Sequence, residues 1–300
     1  MVTRLKELAS ILEKKHKKTL AVAVAQDKDV LKAVFKAVEL NIIDAILVGD
    51  KEEIINICNE NGLNEINVVI VDEKDKLKAT AKAVELVSKG KAQFIMKGMI
   101  GTAPLLKAVL NKEAGLRGNN LLSHVMIYDV PSYHKLLFLT DGGMVTYPDL
   151  DEKVGIIKNT LKVTKALGIE KPKIAPVCAV EVVNSSMQDT IDAASLTLMN
   201  KRGQIKDCII EGPLGLDNAI SKEAAEHKGI DSKIAGDVDV LLVPNIVAGN
   251  FLGKGMSYFA GAENAGVIMG AKCPIVLVSR ADSAKSKLYA IALGSIVSGS

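Results

Sequence analysis

The sequence predicts an α/β fold of two α/β domains, each built on a largely parallel sheet. Three observations predict it. Short apolar runs alternate with amphipathic helical stretches along nearly the whole chain. The runs are apolar throughout rather than at every second residue, as in strands covered on both faces. A breaker cluster, Asp141-Gly142-Gly143 with Pro148-Asp149, interrupts the alternation near its middle, as at a domain boundary. The first domain is expected over 1–145 with about 270–300, and the second over 146–269.

In the first half, Leu5, Leu8, Ile11 and Leu12 have helical spacing, and Leu20 to Ala25 reads as a buried strand. Asp27 or Asp29 starts a helix with Val30, Leu31, Val34, Phe35 and Val38 on one face. Strands follow at Ala45–Val48, Val68–Val71 and Phe94–Met96, separated by helices 51–60 and 75–89. Ser123–Val130 and Lys135–Thr140, split by Pro131-Ser132, read as an antiparallel pair.

The second half repeats the alternation. Helix 150–166 leads to strands at Ile174–Val180, Cys208–Ile210 and Val238–Val243, with a helix to about Met199 and another to His227 between them. A glycine-broken helix is expected to about Gly266, then strand Ile275–Val278 and a closing helix Leu288–Val297.

Composition narrows the function. Of 300 residues 48% are hydrophobic and 24% charged, a normal globular balance. The net charge of +3 and 3% aromatics give neither a basic arm nor stacking rings for nucleic acid. Cys58, Cys178, Cys208 and Cys273 form no CxxC and read as buried free thiols of a reducing compartment. The amphipathic start MVTRLKELASILEKK lacks a signal peptide's apolar core. No apolar run nears the roughly 20 residues of a membrane span, so a cytoplasmic protein is expected. None of the 4 histidines, His124 and His134 included, has a helical i, i+4 partner, so no metal site is expected.

Two loops have a chemical look. Lys97-Gly98-Met99-Ile100-Gly101-Thr102 joins a strand to a helix, with Pro104 expected at its first position and Lys107 inside it. Backbone N–H groups and a helix dipole can hold an anion there; glycines that merely supply positive φ are the alternative. Ser279-Arg280 follows strand Ile275–Val278, putting a hydroxyl and a permanent cation just past a strand's carboxyl end. The alternative is a serine that caps the last helix and an arginine paired with a surface carboxylate. Gly249-Asn-Phe-Leu-Gly253-Lys254 imitates a P-loop but has three residues between its glycines and Gly255 after Lys254. No GxGxxG follows the first strand, where Gln26-Asp27-Lys28-Asp29 stands.

Four further segments occur in order: Glu211-Gly-Pro-Leu-Gly-Leu-Asp217-Asn-Ala-Ile220, Pro244-Asn245-Ile-Val-Ala-Gly249-Asn250, Gly261-Ala-Glu-Asn-Ala-Gly266 and Ser279-Arg280. Together they resemble the phosphate acetyl/butyryltransferase family. Lys97–Thr102 and Leu136–Gly143 (LLFLTDGG) look most like its butyryl branch. The resemblance implies two α/β domains around a cleft, similar to the isocitrate and isopropylmalate dehydrogenases. It also implies a homodimer or larger homo-oligomer. The implied reaction moves a short-chain acyl group, butyryl preferred, between coenzyme A and inorganic phosphate. Coenzyme A and acyl-CoA are then substrates, and no tightly bound cofactor, metal, nucleic acid or membrane is expected.

The resemblance makes Ser279 and Arg280 the catalytic pair. It makes Lys97, Gly98, Gly101, Thr102, Lys107, Asn245, Gly249, Asn250 and Asp282 candidates for substrate binding. An arginine of the acetyl branch falls at Lys107, which keeps the charge and loses the fork. An aspartate proposed there as base falls at Ser286, leaving Asp282 as the carboxylate nearest Ser279 in sequence. The rival readings are a phosphate acetyltransferase, a dehydrogenase on the same fold and a non-catalytic coenzyme A-binding module.

Overall fold

The structure, a computed structural model, describes residues 2–12, 16–63, 68–118, 120–278 and 282–299. The chain divides into two units, residues 6–120 with 265–300 and residues 1–5 with 121–264. This division differs from the one expected near 145 and 269. The antiparallel pair groups with the second unit because Phe138, Leu139 and Thr140 lie in parallel register beside Val240, Leu241 and Leu242.

A 3-10 turn, Leu5–Glu7, precedes α1 (Leu8–Leu12). The first unit continues through β1 (Lys18–Ala23), α2 (Lys28–Glu39), β2 (Ile43–Gly49), α3 (Lys51–Glu60), β3 (Val68–Asp72), α4 (Lys76–Ser88), β4 (Phe94–Lys97) and α5 (Thr102–Val109). Three of its helices start on an aspartate. Asp27, Asp50 and Asp75 each accept two first-turn amides of α2, α3 and α4, a cap that contributes about 1 kcal/mol. Right-handed crossovers place α2 and α3 on one face of this sheet and α4 on the other.

The second unit holds β5 (Ser123–Asp129), β6 (Leu137–Thr140), α6 (Leu150–Ala166), β7 (Lys173–Pro176), α7 (Gln188–Lys201), β8 (Ile209–Ile210), α8 (Leu216–Ile220), α9 (Lys222–His227), β9 (Val240–Leu242) and α10 (Ile246–Tyr258). The helix expected to run to His227 is two helices. Ser221 is extended (φ −129°, ψ 117°), ends α8 and caps α9 through its hydroxyl. The chain then returns to the first unit through β10 (Glu263–Met269), β11 (Ile275–Val276) and α11 (Ala284–Val297). Here the expected helix to Gly266 is corrected. α10 stops at Tyr258, Gly261 turns the chain at φ +64°, and a strand follows.

In the first unit the strand order is β3-β2-β1-β4-β11-β10, parallel except that β10 runs against β11. In the second it is β5-β6-β9-β7-β8, parallel except for the β5–β6 pair. Tyr128, Leu139, Ala175 and Leu241 belong to the second unit's buried core.

A charge network holds the amino edge of β6, β7 and β9. Lys135 reaches Asp239 at 2.7 Å and Asp237 at 2.9 Å, and Lys173 and His134 also bond to Asp237. Burial alone would raise the Asp237 pKa; hydrogen bonds from Lys173, Lys135 and His134 outweigh it and hold the carboxyl far below the usual range.

Candidate active site

β1, β4 and β11 lie side by side and parallel, with Ala23 opposite Lys97 and Met96 opposite Val276. The residues after β4 and after β11 therefore leave the sheet at one carboxyl edge, where open α/β sheets bind ligands. Ser279 and Arg280 lie outside the described residues. Val278, buried at 6% exposure, is the last described residue before them. The strand that leads to the serine-arginine pair thus ends beside the Lys97–Thr102 turn.

That turn is clamped onto the end of β1. The Gly98 amide donates to the Ala23 carbonyl at 2.9 Å and the Met99 amide to the Val24 carbonyl at 2.7 Å. A Cβ on Gly98 would stand 2.1 Å from the Val24 oxygen, so only glycine permits the approach. The Ile100 amide turns inward to the Gly98 carbonyl at 2.9 Å. The amides at 98–100 are therefore committed, which narrows the backbone donors expected for an anion. Gly101 is the N-cap of α5 and gives no side-chain cap, which leaves the first-turn amides of Thr102 and Ala103 without one. Pro104 is the third residue of this helix, not the first; its missing N–H still costs nothing there.

The two lysines are separated. Lys97 is buried and its ammonium donates to the Ile100 carbonyl at 3.3 Å, bracing the turn from within. Lys107 is exposed in the last turn of α5, at the end of the helix away from Gly101. Beyond β11, the N-cap of α11 is Ser283, whose hydroxyl accepts the Ser286 amide at 3.1 Å. The capping role considered for Ser279 is thus filled by another serine. Asp282 is half-buried, and its carbonyl accepts the buried Lys287 ammonium.

The second unit gathers Asn245, Gly249 and Asn250 at the start of α10. Asn245 is its N-cap, accepting the Ala248 amide at 3.0 Å. Asn250 is exposed. Gly249 faces the turn after β6, where a Cβ on it would come within 2.6 Å of the Gly142 Cα. That turn is organised by Asp141, 1% exposed. Its carboxylate accepts the amides of His124 (2.9 Å), Gly143 (2.8 Å), Met144 (2.8 Å) and Val145 (3.3 Å). Four charge-assisted bonds replace the water a buried carboxylate loses.

Cys58, Cys178, Cys208 and Cys273 are buried and form no disulfide. Burial first, then the Asp189 carboxylate, pushes Cys178 up to about 12; burial pushes Cys208 up to about 11 and Cys273 to about 12. Such thiols stay protonated and are poor nucleophiles at neutral pH. Among the described residues no cluster of three His, Cys, Asp or Glu is placed to hold a metal, and no helix is long and apolar enough to cross a membrane.

The profile of the phosphate acetyl/butaryl transferase family matches residues 71–295. This chain belongs to that family. It is 50% identical over 291 residues to a phosphate butyryltransferase of Clostridium beijerinckii, covering 97% of this chain and 96% of the relative. It is 42% identical over 292 residues to a phosphate acetyltransferase of Thermotoga maritima, covering 97% and 99%. The crystal structure of a branched-chain phosphotransacylase from Enterococcus faecalis superposes with a TM-score of 0.83 at 33% identity, covering 94% of this chain and 99% of that one.

The turn at 98–102 follows the carboxyl end of β4 in the first unit, and the turn at 141–143 follows the carboxyl end of β6 in the second. Sequence reasoning missed Asp141 as the hub of its turn. An aspartate before two glycines was a legible signal for an Asx-type turn. It also missed the buried pair Lys153–Asp192 at 2.5 Å, 39 positions apart, for which no local signal existed.

Proposed function

We propose that this enzyme transfers a short-chain acyl group, butyryl preferred, between coenzyme A and inorganic phosphate: acyl-CoA plus phosphate gives acyl phosphate plus coenzyme A. The observation that carries the reading is full-length similarity to phosphate acyltransferases, with 50% identity to a phosphate butyryltransferase. The adjacency of β4 and β11 supports it, since it brings the glycine turn and the strand before Ser279-Arg280 to one edge.

The mechanism follows from the reactants. Phosphate is a weak, heavily hydrated nucleophile and has to be held beside the thioester carbonyl. Arg280 is proposed as its cation, with the Thr102 and Ala103 amides as further donors. Phosphate oxygen attacks the carbonyl carbon, the carbonyl oxygen gains negative charge, and Ser279 donates to it. The tetrahedral centre then collapses, the C–S bond breaks, and coenzyme A leaves as a thiolate. A thiol pKa of about 8.5 makes that departure possible without a strong general acid. Direct attack in a ternary complex fits the buried thiols better than an acyl-enzyme does.

Coenzyme A and acyl-CoA are proposed as substrates, with no tightly bound cofactor, and the cytoplasm as the compartment that keeps four thiols reduced. A homodimer or larger homo-oligomer is also proposed. Val247 (46% exposed), Phe251 (72%) and Tyr258 (73%) lie along one side of α10 and support it. Phosphate-dependent release of free thiol from butyryl-CoA tests the reaction. Rates over an acyl-CoA series separate the butyryl reading from an acetyl one, which the Thermotoga relative represents. No release from any acyl-CoA points instead to a binding module. Light scattering on wild type and Phe251→Glu tests the assembly.

A further inference from the structure

β3 (Val68–Asp72) is the outer strand of the first unit's sheet, with β2 on one side and, among the described residues, no strand on the other. Its outward backbone groups can be named. The Glu73 amide donates to the Gly49 carbonyl of β2 at 2.9 Å. Amides alternate in direction along a strand, so those of Val69 and Val71 also face β2, and those of Val68, Ile70 and Asp72 face outward. A bond from the Lys82 ammonium to the outward Asp72 carbonyl, at 3.4 Å, agrees with this. The side chains divide the same way. Asp72 Oδ1 accepts the Lys51 amide of α3 at 3.0 Å, which puts Val68, Ile70 and Asp72 on the α3 face and Val69 and Val71 on the other. On that other face α4 packs over β1 and β2. Val69 is left 59% exposed there, beside a half-buried Val71.

An open, apolar edge is a template for a further strand, and natural sheets block it with a lysine or proline in the strand, a bulge or a very short strand. β3 uses none of these. Residues 68–71 read Val-Val-Ile-Val, and the register with β2 runs unbroken from Val68 beside Ala45 to Asp72 beside Gly49. By contrast β8, an outer strand of the second unit, has 2 residues against 5 in β3. The pattern fits a second copy of itself, because the outward groups at 68, 70 and 72 are symmetric about Ile70. In an antiparallel pair with Ile70 on a twofold axis, Ile70 exchanges both backbone bonds with the second copy's Ile70, and Val68 does so with the second copy's Asp72. Val69 then lies opposite Val71, and the valines of the two copies form one apolar strip. Charge selects this register. The two Asp72 carboxylates stand at opposite ends of the pair, whereas an axis at Asp72 would set them face to face.

We propose that β3 is a self-association edge, at which two copies of this chain join their first-unit sheets by antiparallel pairing about a twofold axis through Ile70. The inference is independent of the reaction proposed above and of the α10 surface, which belongs to the second unit. With 5 residues a side the interface is small, so the pairing is expected to be weak and concentration-dependent.

The test is a register-specific cross-link in the full chain. In the proposed pair the Cα atoms of Val69 and the facing Val71 stand about 4.5 Å apart, within disulfide reach, whereas Val69 and its own mate are diagonal neighbours at about 7–8 Å. The native cysteines are buried and form no disulfide. A mixture of Val69→Cys and Val71→Cys chains under mild oxidation is expected to give at least about tenfold more disulfide-linked dimer than either variant alone. Equal yields, or no linked dimer in the mixture, overturn the proposal. Hydrogen exchange on the wild-type chain covers the case in which a variant does not fold. Exchange across residues 68–72 is expected to slow about twofold or more as the chain is raised from micromolar to millimolar concentration, and Val69→Lys is expected to remove that dependence. Exchange that ignores concentration leaves the edge to another occupant or to solvent and overturns the proposal, as does a dependence that Val69→Lys leaves intact.

Discussion

Gly249 of α10 packs backbone to backbone on Gly142 of the turn after β6; a Cβ on it would stand 2.6 Å from the Gly142 Cα and 2.9 Å from Val243 Cγ2. One helical turn on, a Cβ on Gly253 would stand 2.3 Å from the Tyr128 hydroxyl. The two glycines that imitate a P-loop thus let a helix sit down on the β5–β6 strands. Gly249→Ala is expected to cost about 1–3 kcal/mol through overpacking. Gly255, in the same helix, has nothing within 4 Å of its would-be Cβ. Gly255→Ala is expected to stabilise by about 0.5–1 kcal/mol. Urea midpoints at constant m check both, and equal shifts of one sign would contradict the packing.

Gly98 and Gly101 differ in the same way. Alanine at 98 would meet the Val24 carbonyl at 2.1 Å, whereas alanine at 101 would touch Pro104 Cδ at 3.4 Å with φ already at −67°. Gly98→Ala is expected to lower Tm by several degrees and disrupt phosphate use. Gly101→Ala is expected to keep Tm within about 1 °C. Calorimetry with phosphate kinetics on each variant checks the pair.

Among the described residues, the Asp141 carboxylate accepts backbone amides and meets no cation. In Asp141→Asn an NH2 group replaces one acceptor and faces backbone donors. The expected cost is about 2–3 kcal/mol, by the range for hydrogen bonds to charged groups and buried unmade ones. Denaturant unfolding measures it, and a loss below about 0.5 kcal/mol would show that the turn holds without the carboxylate.

Asp237 carries a pH signature. Its folded pKa lies below the unfolded value of about 3.9. Its contribution is therefore present above about pH 4 and lost as pH falls further. Asp237→Asn is expected to lower Tm by a few degrees at pH 7, with the gap to wild type closing below about pH 4. At 44% side-chain exposure the effect should also shrink in high salt. A gap that widens in acid would contradict the assignment.

Local signals account for what the sequence disclosed. Asp27, Asp50 and Asp75 stand next to the helices they cap, and β1 to β4 each contain an unbroken apolar run, Leu20–Ala23, Ala45–Val48, Val68–Val71 and Phe94–Met96. The strand β10 was hidden because Glu263 and Asn264 open it after a helix with four glycines nearby; the run Val267-Ile268-Met269 was its visible signal. Ser221 was a readable cap inside what looked like one helix. The contacts of Gly142 with Gly249 and of Lys153 with Asp192 join residues far apart in the chain, and only the fold discloses them. The motifs located the candidate edge of the first unit. Which of its amides are already spent on β1 became visible only in three dimensions.

The most direct test of the central claim is the phosphate dependence of thiol release from butyryl-CoA, compared between wild type and Arg280→Gln. The expected result is saturable, phosphate-dependent release by wild type, with the phosphate KM about tenfold or more higher in the variant and the KM for butyryl-CoA little changed. Release without phosphate, or an unchanged phosphate KM in the variant, would contradict it.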